Sequence, residues 1–469
     1  MADSPLVLGI DSSTQSTKAV LVDAHDGTLV EIRTAAHPPG TSVDPRAWIA
    51  ALEEAAGPLL GRADAIAVGG QQHGAVVLDE AGGPVRDALL WNDLRSSGSA
   101  EDLTEELGGA QAWADLTGSA LSGSYTVTKL RWIRDHEPEA AKRVHRVLLP
   151  HDYLTWHLGG RAAEPTTDRG DASGTGYFST RDDVWLPEVL ERALGQEALL
   201  PRVAEPAEAV ARRGLALVAP GTGDNMAAAL GLGLGDGDVA VSIGTSGVAS
   251  MVTSEPIADG TGQVSGFADA TGRFLPLACT INAARILELG ARLLGVDHEG
   301  LAALALESVP GAHGLTLLPY LDGERTPSRP DAAGTLHGLT TATTRADLAR
   351  AHIEGLLFSL ADAVDALTEV SGRRPERLML IGGAARNAAV LALAPLVFDI
   401  PVVLPDPAEY VALGAARQAA WVLSGATTPP DWPVRTTELP TGQTVTDLRQ
   451  DYSVLRDLTA SWTSRKATP

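Results

Sequence analysis

The segment Gly9–Lys18 places a carboxylate, Asp11, at the end of an apolar run and follows it with small hydroxyl residues. A turn of this kind exposes backbone N–H groups and hydroxyls that can hold phosphate oxygens, here at Ser13 and Thr14. Asp11 could hold a hydrated Mg²⁺ opposite them. An ordinary hairpin, in which the Asp side chain caps the turn, explains the same residues. This segment alone therefore leaves phosphate binding and a structural turn both open.

A second turn of small residues, Gly244–Gly247, lies far along the chain between two alternating apolar runs. It contains Thr245 and Ser246, and its glycines allow positive φ angles and close approach of a phosphate group. Glycine-rich hairpins are common, so this turn is the weaker signal when taken alone. Two such hairpins in one chain together predict a nucleotide-binding site enclosed by both turns.

A third candidate is the carboxylate of Asp224, which lies between the predicted strand Leu215–Ala219 and a predicted helix, Asn225–Leu230. A carboxylate at the mouth of a helix could take a proton from a sugar hydroxyl. Asp is also a favoured N-cap residue, and as a cap it would satisfy the first backbone N–H groups of the helix. Both explanations fit the local sequence.

Polar residues that could bind a polyol follow two other predicted strands. A polyol needs several oriented donors and acceptors, and a Trp ring offers an apolar face for a sugar. A satisfied histidine in a tight turn and a core Trp with surface neighbours are the structural alternatives. The candidates are Gln72, His73, Trp91, Asn92 and Asp93.

Two further turns carry weaker signals. In Gly382–Asn387, the small residues Gly382, Gly383 and Ala384 would let an adenine or ribose lie on the backbone, although a strand-to-helix turn explains them equally. The segment Gly323–Pro327 sets charged residues between an apolar run and a proline, which indicates a structural role such as a fixed ion pair.

The elements that must position these residues follow an α/β pattern. A strand, a small polar turn and a second strand occur twice, at 6–23 and at 238–253, which predicts a duplicated domain plan. The glycine-rich stretch at 234–238 is the predicted boundary between an N-terminal domain, 1–235, and a C-terminal domain, 236–469.

Three other local patterns are explicit. Pro45–Leu60 is predicted as a helix with Asp44 as its N-cap and proline at its first position. Thr344–Thr368 carries leucines at helical spacing and is predicted as a long helix. The proline-rich tail after Ser424 is expected to be peripheral.

The composition excludes several classes of protein. With 59 acidic and 36 Lys or Arg residues, the formal charge is −23, which argues against binding to nucleic acid or an anionic membrane. The single cysteine, Cys279, cannot form a disulfide within the chain, and no secretory signal or membrane-spanning run is evident. A cytoplasmic protein is therefore predicted, and a homodimer is possible.

Taken in this order, the motifs resemble those of the FGGY carbohydrate kinases, and within that family they are most similar to the branch that phosphorylates D-xylulose. The resemblance covers residues from about 6 to 420. It rests on Gly9–Lys18, Gly69–Gly74, Leu89–Arg95, Val147–Leu154, Pro220–Gly231, Ser242–Gly247, Pro319–Pro327, Gly334–Leu339 and Leu380–Asn387, with Lys129–Pro138 as further evidence for the branch.

The resemblance implies two actin-like (ribonuclease-H-like) domains with a catalytic cleft between them, ATP and Mg²⁺ as cofactors, and phosphorylation of D-xylulose to D-xylulose 5-phosphate. Asp224 would be the general base, and Asp11 would organise Mg²⁺ and the transferred phosphoryl group. The sugar-binding residues would be Gln72 and His73, with Trp91, Asn92, Asp93 and Asn225 as weaker candidates. The ATP-binding residues would be Ser13, Thr14, Lys18, Gly244, Thr245, Ser246, Gly382, Gly383, Ala384 and Asn387.

Two departures from the family pattern bear on specificity. Gln72 stands where the D-xylulose branch commonly has Met, and Ala384 stands where a third glycine is common. A family kinase for another polyol or sugar, such as ribulose, glycerol, gluconate or fuculose, is therefore an alternative. A sugar-sensing protein without catalysis and an actin-like filament protein are alternatives from other classes, although Asp11 and Asp224 together favour an enzyme.

Overall fold

The computed structural model describes residues 4–440 and 447–463. Within this range the chain forms two compact units. The first contains the chain up to Leu234 together with Ser254–Leu275 and Pro407–Val434, and the second contains Gly235–Thr253, Pro276–Asp406 and the chain from Arg435. The chain first leaves the first unit after Leu234, next to the predicted boundary. Two later segments belong to the first unit again, so neither unit is a single stretch of chain.

The elements up to Leu234 alternate short strands and helices. The strands are β1 (Leu6–Ser12), β2 (Ser16–Asp23), β3 (Leu29–Ala36), β4 (Ser42–Val43), β5 (Ala65–Gly70), β6 (Val76–Leu78), β7 (Ala88–Leu89), β8 (Arg146–Leu148), β9 (Thr166–Thr167), β10 (Phe178–Ser179), β11 (Val184–Trp185), β12 (Arg202–Val203), β13 (Ala211–Arg213), β14 (Ala216–Val218) and β15 (Thr222–Gly223). The helices are α1 (Pro45–Leu60), α2 (Ser97–Glu106), α3 (Ala110–Thr117), α4 (Thr126–His136), α5 (Pro138–Ala141), α6 (Pro150–Leu158), α7 (Arg169–Ala172), α8 (Pro187–Leu194) and α9 (Asp224–Leu232), with a 3₁₀ turn at Leu94–Ser96.

The remaining elements include the longest helix of the described chain. The strands are β16 (Asp238–Ile243), β17 (Gly247–Met251), β18 (Val264–Ala268), β19 (Phe274–Thr280), β20 (Thr316–Leu318), β21 (Thr335–His337), β22 (Arg377–Ile381), β23 (Val402–Pro405) and β24 (Thr436–Glu438). The helices are α10 (Ala284–Leu294), α11 (His298–Glu307), α12 (Arg345–Ser371), α13 (Ala388–Val397), α14 (Tyr410–Ser424) and α15 (Gln450–Leu458), with 3₁₀ turns at Ala312–Gly314 and Gly383–Arg386.

Each unit is built on a mixed sheet, and the two sheets repeat one strand order. In the first, β3-β2-β1-β5-β14 are neighbours, with β1 antiparallel to β2 and parallel to β5. In the second, β19-β17-β16-β22-β23 follow the same order, with β16 antiparallel to β17 and parallel to β22. The duplicated plan predicted from 6–23 and 238–253 is therefore confirmed.

The first sheet has a hydrophobic core on each face. Alternate residues of a strand point to opposite faces, so neighbouring residues of β1 belong to different cores. Leu8 and Ile10 of β1 belong to one core with α1, whereas Val7 belongs to another core with α14. Gly9 faces α14 so closely that a Cβ there would lie 1.9 Å from the carbonyl oxygen of Ala412. The central strand is therefore buried on both faces, and this fixes the position of the carboxylate at its end.

The predicted helices are confirmed at their N-termini. The side chain of Asp44 accepts a hydrogen bond from the backbone N–H of Arg46, so it caps α1 as expected. Thr344 caps α12 and forms a reciprocal capping box with Asp347. None of the helices in residues 4–440 and 447–463 is long and apolar enough to cross a bilayer.

The expectation of a peripheral tail is wrong for part of the segment after Ser424. Trp432 is buried in the core beneath the first sheet, and its indole nitrogen lies 3.3 Å from the carbonyl oxygen of Ala24. Strand β24 extends the second sheet by pairing with β23. The prolines of this segment limit its secondary structure, but they do not prevent burial of an indole ring.

Candidate active site

Asp11 lies at the end of β1 and is 6 % exposed. Its Oδ1 atom is buried, and no described residue donates a hydrogen bond to it. Burial raises the pKa of Asp11 to about 7, Lys18 partly offsets this rise, and Glu409 adds to it. Lys18 stands opposite Asp11 in the strand register, but its Nζ lies 2.6 Å from Oε2 of Glu409. The Lys18 charge is therefore paired within the first unit.

The turn after Asp11 is held by its own hydrogen bonds and by Trp91. The backbone N–H and the hydroxyl of Ser13 each donate to the carbonyl oxygen of Ser16 at 3.0 Å. The indole nitrogen of Trp91 donates to the hydroxyl oxygen of Thr14, also at 3.0 Å. The predicted phosphate hairpin is thus a closed turn in contact with one of the predicted sugar residues.

Asp224 is the first residue of α9, and Gly223 is its N-cap, so Asp224 does not occupy the N-cap position considered from the sequence. One carboxylate oxygen of Asp224, Oδ1, accepts from the backbone N–H of Asn225 at 2.9 Å and from Nδ2 of Asn225 at 3.2 Å. The side chain is partly exposed. The Asp224 carboxylate is consequently available to a ligand.

The loop that carries Asp224 is fixed by α14. The side-chain amide of Gln418 forms two hydrogen bonds with the backbone of Gly221, 3.0 Å to its nitrogen and 3.1 Å to its oxygen. Helices α9 and α14 pack in close contact, since a Cβ on Gly414 would lie 1.8 Å from the carbonyl oxygen of Ala227. The position of Asp224 is therefore set by contacts some 200 residues away in sequence.

Burial raises the pKa of Asp224 to about 7, and the negative charges of Asp11 and Asp171 add to the rise. A carboxylate with a pKa near 7 is a far stronger proton acceptor than an ordinary Asp and still ionises near neutral pH. Perturbed carboxylates of this kind are concentrated at functional sites.

Gln72, His73 and Asn225 lie in the same unit as Asp224. Oε1 of Gln72 accepts from Nδ2 of Asn225 at 2.8 Å, and the Gln72 side chain also interacts with the Asp171 carboxylate, where it works to lower the pKa of Asp171. His73 has a φ of 66° and stacks on Tyr125. Its Nδ1 lies 2.7 Å from the carbonyl oxygen of Gly174, which can only accept, so Nδ1 carries the proton. The structure thus links Gln72 to Asp224 through Asn225.

The three residues Trp91–Asp93 differ in exposure: Trp91 is accessible, Asn92 is partly buried and Asp93 is buried. The Trp91 ring is 43 % exposed, and Oδ1 of Asn92 is buried without a partner among the described residues. Asp93 caps the following 3₁₀ turn, and its carboxylate accepts from the guanidinium of Arg95 at 2.7 Å and from the hydroxyl of Thr41 at 2.8 Å. The Asp93 carboxylate is therefore engaged inside the protein, whereas Trp91 is accessible.

A buried ionic cluster was not predicted from the sequence. His151 is fully buried, with Nδ1 2.6 Å from Asp171 and Nε2 3.3 Å from Asp152. Burial works to lower the pKa of His151, but Asp152, Asp171 and Asp168 raise it to about 9. Asp168 also accepts from the hydroxyl of Thr222 at 2.6 Å, beside the loop that carries Asp224. The cluster combines one histidine with three carboxyl groups, and its Asp171 also acts on Asp224 by raising the pKa of that carboxyl.

In the second unit, the turn Gly244–Ser246 is exposed, as a phosphate-binding turn must be. Two of its three carbonyl oxygens face the start of α10: Thr245 accepts from the N–H of Ala283 at 3.2 Å, and Gly244 accepts from the N–H of Ala284 at 2.9 Å. The turn is therefore docked on a helix N-terminus through its carbonyl groups.

The predicted adenosine loop follows β22. Gly382 has a φ of 92°, and a Cβ there would lie 2.7 Å from the carbonyl oxygen of Ile243, so this position requires glycine. A Cβ on Gly383 would meet no atom within 4 Å, and Ala384 follows it in the 3₁₀ turn. Asn387 caps α13 through its Oδ1, which accepts from the backbone N–H of Ala389 at 3.0 Å. Space for a ligand is present at Gly383, whereas the Asn387 side chain is engaged in a helix cap.

Comparisons with known proteins agree with this arrangement. The FGGY family of carbohydrate kinases matches in two parts, its N-terminal domain over residues 6–241 and its C-terminal domain over residues 239–423. The chain belongs to the FGGY family of carbohydrate kinases. It is 49% identical over 440 residues to the xylulose kinase of Streptomyces coelicolor, covering 90% of this chain and 89% of that one.

Two other members of the family are also similar over most of their length. The xylulose kinase of Streptomyces rubiginosus is 46% identical over 441 residues, with 90% of this chain and 89% of that one covered. The crystal structure of xylulose kinase from Bifidobacterium adolescentis superimposes with a TM-score of 0.92 at 44% identity, covering 97% of this chain and 99% of that chain. The predicted family and its two-domain α/β fold are confirmed.

For this FGGY kinase, sequence reasoning missed several residues that hold the candidate site. Their partners are distant in sequence, so no spacing pattern reveals them. The His151-Asp152 pair, two ionisable residues within the otherwise apolar run 147–154, was the available signal, because buried charged groups are usually paired. The residues missed are His151, Asp168, Asp171, Glu409 and Gln418.

Proposed function

We propose that this FGGY kinase transfers the terminal phosphoryl group of ATP to D-xylulose and forms D-xylulose 5-phosphate, with Asp224 as the general base. The observation that carries the proposal is the Asp224 carboxylate: it is partly exposed, it does not occupy the N-cap position of its helix, and its pKa is raised to about 7. The substrate is proposed because the similar curated relatives are xylulose kinases.

The sugar is proposed to lie against Gln72, His73 and Asn225, with Trp91 presenting an apolar ring face. The hydrogen bond between Gln72 and Asn225, which in turn contacts Asp224, supports this assignment, since it places the Gln72 amide beside the candidate base. Asn92 has an unpartnered buried oxygen and stays a weaker candidate, whereas the internal contacts of Asp93 favour a positioning role.

Magnesium fits at Asp11 on the evidence of its buried, unpartnered Oδ1 atom. The described residues contain no group of three or more His, Cys, Asp or Glu side chains able to hold a metal by themselves. Mg²⁺ is commonly held by one or two carboxylates, waters and substrate phosphates, so a single Asp suffices. When bound, Mg²⁺ supplies positive charge to the phosphate oxygens.

The remaining nucleotide contacts are proposed from the turns that the sequence predicted. The turn at Ser13 and Thr14 and the turn Gly244–Ser246 would hold phosphate oxygens, and Gly382–Ala384 would take the adenosine. The N–H groups of Thr14, Thr245 and Ser246 are the proposed donors, because those of Ser13 and Gly244 donate within their own turns. Asn387 would act through the cap that it provides to α13. Lys18 is a weaker phosphate ligand than the sequence indicated, because its ammonium group is paired with Glu409.

In the proposed reaction, Asp224 accepts the proton of the C5 hydroxyl as the new oxygen–phosphorus bond forms. The bond between the γ-phosphorus and the β–γ bridging oxygen breaks, and ADP leaves with that electron pair. In-line transfer depends mainly on positioning and on neutralisation of charge, so the fixed loop around Asp224 is the contribution of this chain.

The experiment is an ADP-release assay with Mg-ATP and a panel of D-xylulose, D-ribulose, L-ribulose, glycerol, gluconate and no sugar. Turnover that strongly favours D-xylulose, with the phosphate on C5 by ³¹P and ¹³C NMR, is the expected result. Turnover that favours another sugar would overturn the proposed substrate but not the family. Gln72→Met would then be the first variant to make, because Met is common at this position in the D-xylulose branch. Sugar binding without ADP release from any of the panel would support a sensor instead of a kinase.

The Mg²⁺ requirement is checked by repeating the assay with EDTA, which should abolish ADP release. The predicted homodimer and the cytoplasmic location stay predictions, and sedimentation with and without ATP is the measurement for the first of them.

A further inference from the structure

Glu324, in the charged segment Gly323–Pro327, is 1 % exposed and lies in the second unit. Its carboxylate accepts from the backbone N–H groups of Ile281 and of Arg325, the latter at 2.8 Å, and from Nδ2 of Asn282 at 3.0 Å. Nδ2 of Asn282 also donates to the carbonyl oxygen of Gly323 at 2.8 Å. The buried carboxylate therefore holds the chain at 281–282 against its own segment.

The chain held by Glu324 leads directly to the exposed turn Gly244–Ser246. The carbonyl oxygen of Asn282 accepts from the hydroxyl of Thr280, which in turn accepts from the backbone N–H of Gly247 at 3.1 Å. The next two residues, Ala283 and Ala284, donate their N–H groups to two carbonyl oxygens of the turn. Residues 280–284 thus contact two carbonyl oxygens of the turn and the N–H of Gly247, the residue that follows it.

These contacts decide which way the N–H groups of the turn face. In a trans peptide the C=O and N–H of one unit point in opposite directions. The carbonyls of Gly244 and Thr245 point towards Ala283 and Ala284, so the N–H groups of Thr245 and Ser246 point away from them. An anion on that side of the turn would meet two parallel N–H dipoles.

We propose that Glu324 is a positioning residue for nucleotide phosphate binding, because it fixes Asn282 and the following residues that orient the N–H groups of Thr245 and Ser246. The proposal rests on the proposed function, in which this turn holds phosphate oxygens of ATP. Glu324 itself does not touch the nucleotide. A charged segment that the sequence indicated to be merely structural would in this way control affinity for one substrate.

The isosteric variant Glu324→Gln tests the proposal with little change in volume. The Gln oxygen can still accept from Ile281 and Arg325, but its NH₂ group then faces Nδ2 of Asn282, which is also a donor. Leaving a buried donor unsatisfied weakens the local structure, and we expect the dissociation constants for ADP and for a non-hydrolysable ATP analogue to rise about tenfold. The dissociation constant for D-xylulose should stay within about twofold, since the sugar candidates belong to the first unit.

Glu354→Gln is the matched control. Glu354 is 2 % exposed in the same unit, and its Oε1 accepts from the backbone N–H of Gly311 at 3.0 Å and from Arg350 at 2.7 Å. Its hydrogen bonds reach neither 280–284 nor the turn. This variant should lower thermal stability while leaving nucleotide affinity unchanged.

Binding is measured by titration calorimetry on the full chain, without turnover, for nucleotide and sugar separately. The proposal is overturned if Glu324→Gln binds ADP as tightly as the original protein, or if Glu354→Gln loses ADP affinity equally. If Glu324→Gln does not fold, Glu324→Asp keeps the charge but shortens the side chain, and a loss confined to nucleotide affinity is again required. Original protein that binds ADP but phosphorylates none of the sugars would refute the proposed function while leaving the test of Glu324 intact.

Discussion

Replacement of Asp224 by Asn should abolish transfer and at the same time stabilise the fold. The Asn side chain keeps an oxygen to accept from the N–H of Asn225, but it removes a charge that burial, Asp11 and Asp171 all disfavour. Because Gly223 is the N-cap of α9, the substitution leaves the cap unchanged. Loss of a general base typically lowers turnover by a factor of about 10² to 10⁴.

The size and sign of the stability change follow from the pKa. The pKa of Asp224 is raised from 3.8 to about 7, so the folded state binds the proton more tightly than the unfolded state. Stability is therefore lost as pH rises from about 4 to about 7, and the loss is constant above that range. At 1.36 kcal/mol per pKa unit, ionisation of Asp224 lowers the free energy of unfolding by about 4 kcal/mol at pH 8.5 and by about 2 kcal/mol at pH 5.5, before any screening by solvent.

Solvent screening reduces both figures, because the Asp224 carboxylate is partly exposed. We expect Asp224→Asn to raise the free energy of unfolding by about 2 kcal/mol at pH 8.5 and by about 1 kcal/mol at pH 5.5. Urea unfolding at the two pH values measures it, alongside ADP release and D-xylulose binding by calorimetry.

Asp297→Asn is the control for a capping aspartate. The side chain of Asp297 caps α11 by accepting from the N–H of Gly300 at 2.8 Å. Asn is an equally good cap, so the stability of this variant should match that of the original protein at both pH values. A stability gain for Asp224→Asn that is absent, or that does not grow with pH, would refute the electrostatic reasoning, and near-normal turnover would refute the base assignment.

Three further outcomes are expected. With Asp224 as the base, kcat/KM should rise about tenfold per pH unit below pH 7 and level off above it, and a flat profile from pH 5.5 to 8.5 would contradict that role. Trp91→Phe keeps an aromatic face but loses the hydrogen bond to Thr14, so KM for ATP should rise about fivefold in steady-state assays, and an unchanged KM would leave this bond without a role. Gly414→Ala sets a Cβ 1.8 Å from the carbonyl oxygen of Ala227, and urea unfolding should show a loss of about 2–3 kcal/mol, whereas a stable variant would show that α9 can shift.

The parts of the fold that the sequence predicted are those that neighbouring residues decide. The two hairpins are defined by turn residues between apolar runs, and both strands at 6–23 and at 238–253 were placed within about two residues of their observed ends. The cap at Asp44 was also predicted correctly, because capping depends on residues within one helical turn.

The contacts that fix the candidate base could not be predicted in the same way. Gln418 forms hydrogen bonds with Gly221 in the loop before Asp224, and Gly414, which lacks a Cβ, allows α9 to pack closely against α14. Both residues follow Asp224 by almost 200 positions in the sequence. A glutamine and a glycine inside an amphipathic helix carry no local signal of such partners. For the same reason the sequence left the capping and the catalytic explanations of Asp224 open. In the structure Gly223 occupies the N-cap position, and the catalytic role stays a proposal.

The electrostatics of the first unit bear on how an acidic kinase can bind an anionic substrate. With a formal charge of −23, long-range attraction does not bring ATP to this protein. The nearest lysine to Asp11 in the strand register, Lys18, is neutralised by Glu409. In the proposed reaction, local backbone N–H groups and a cation bound with the nucleotide would compensate the phosphate charge. Burial is the main cause of the raised pKa of Asp224, and the charge of Asp11 adds to it. Neutralisation of Asp11 by a cation would remove that added part and favour the ionised, proton-accepting form of the candidate base.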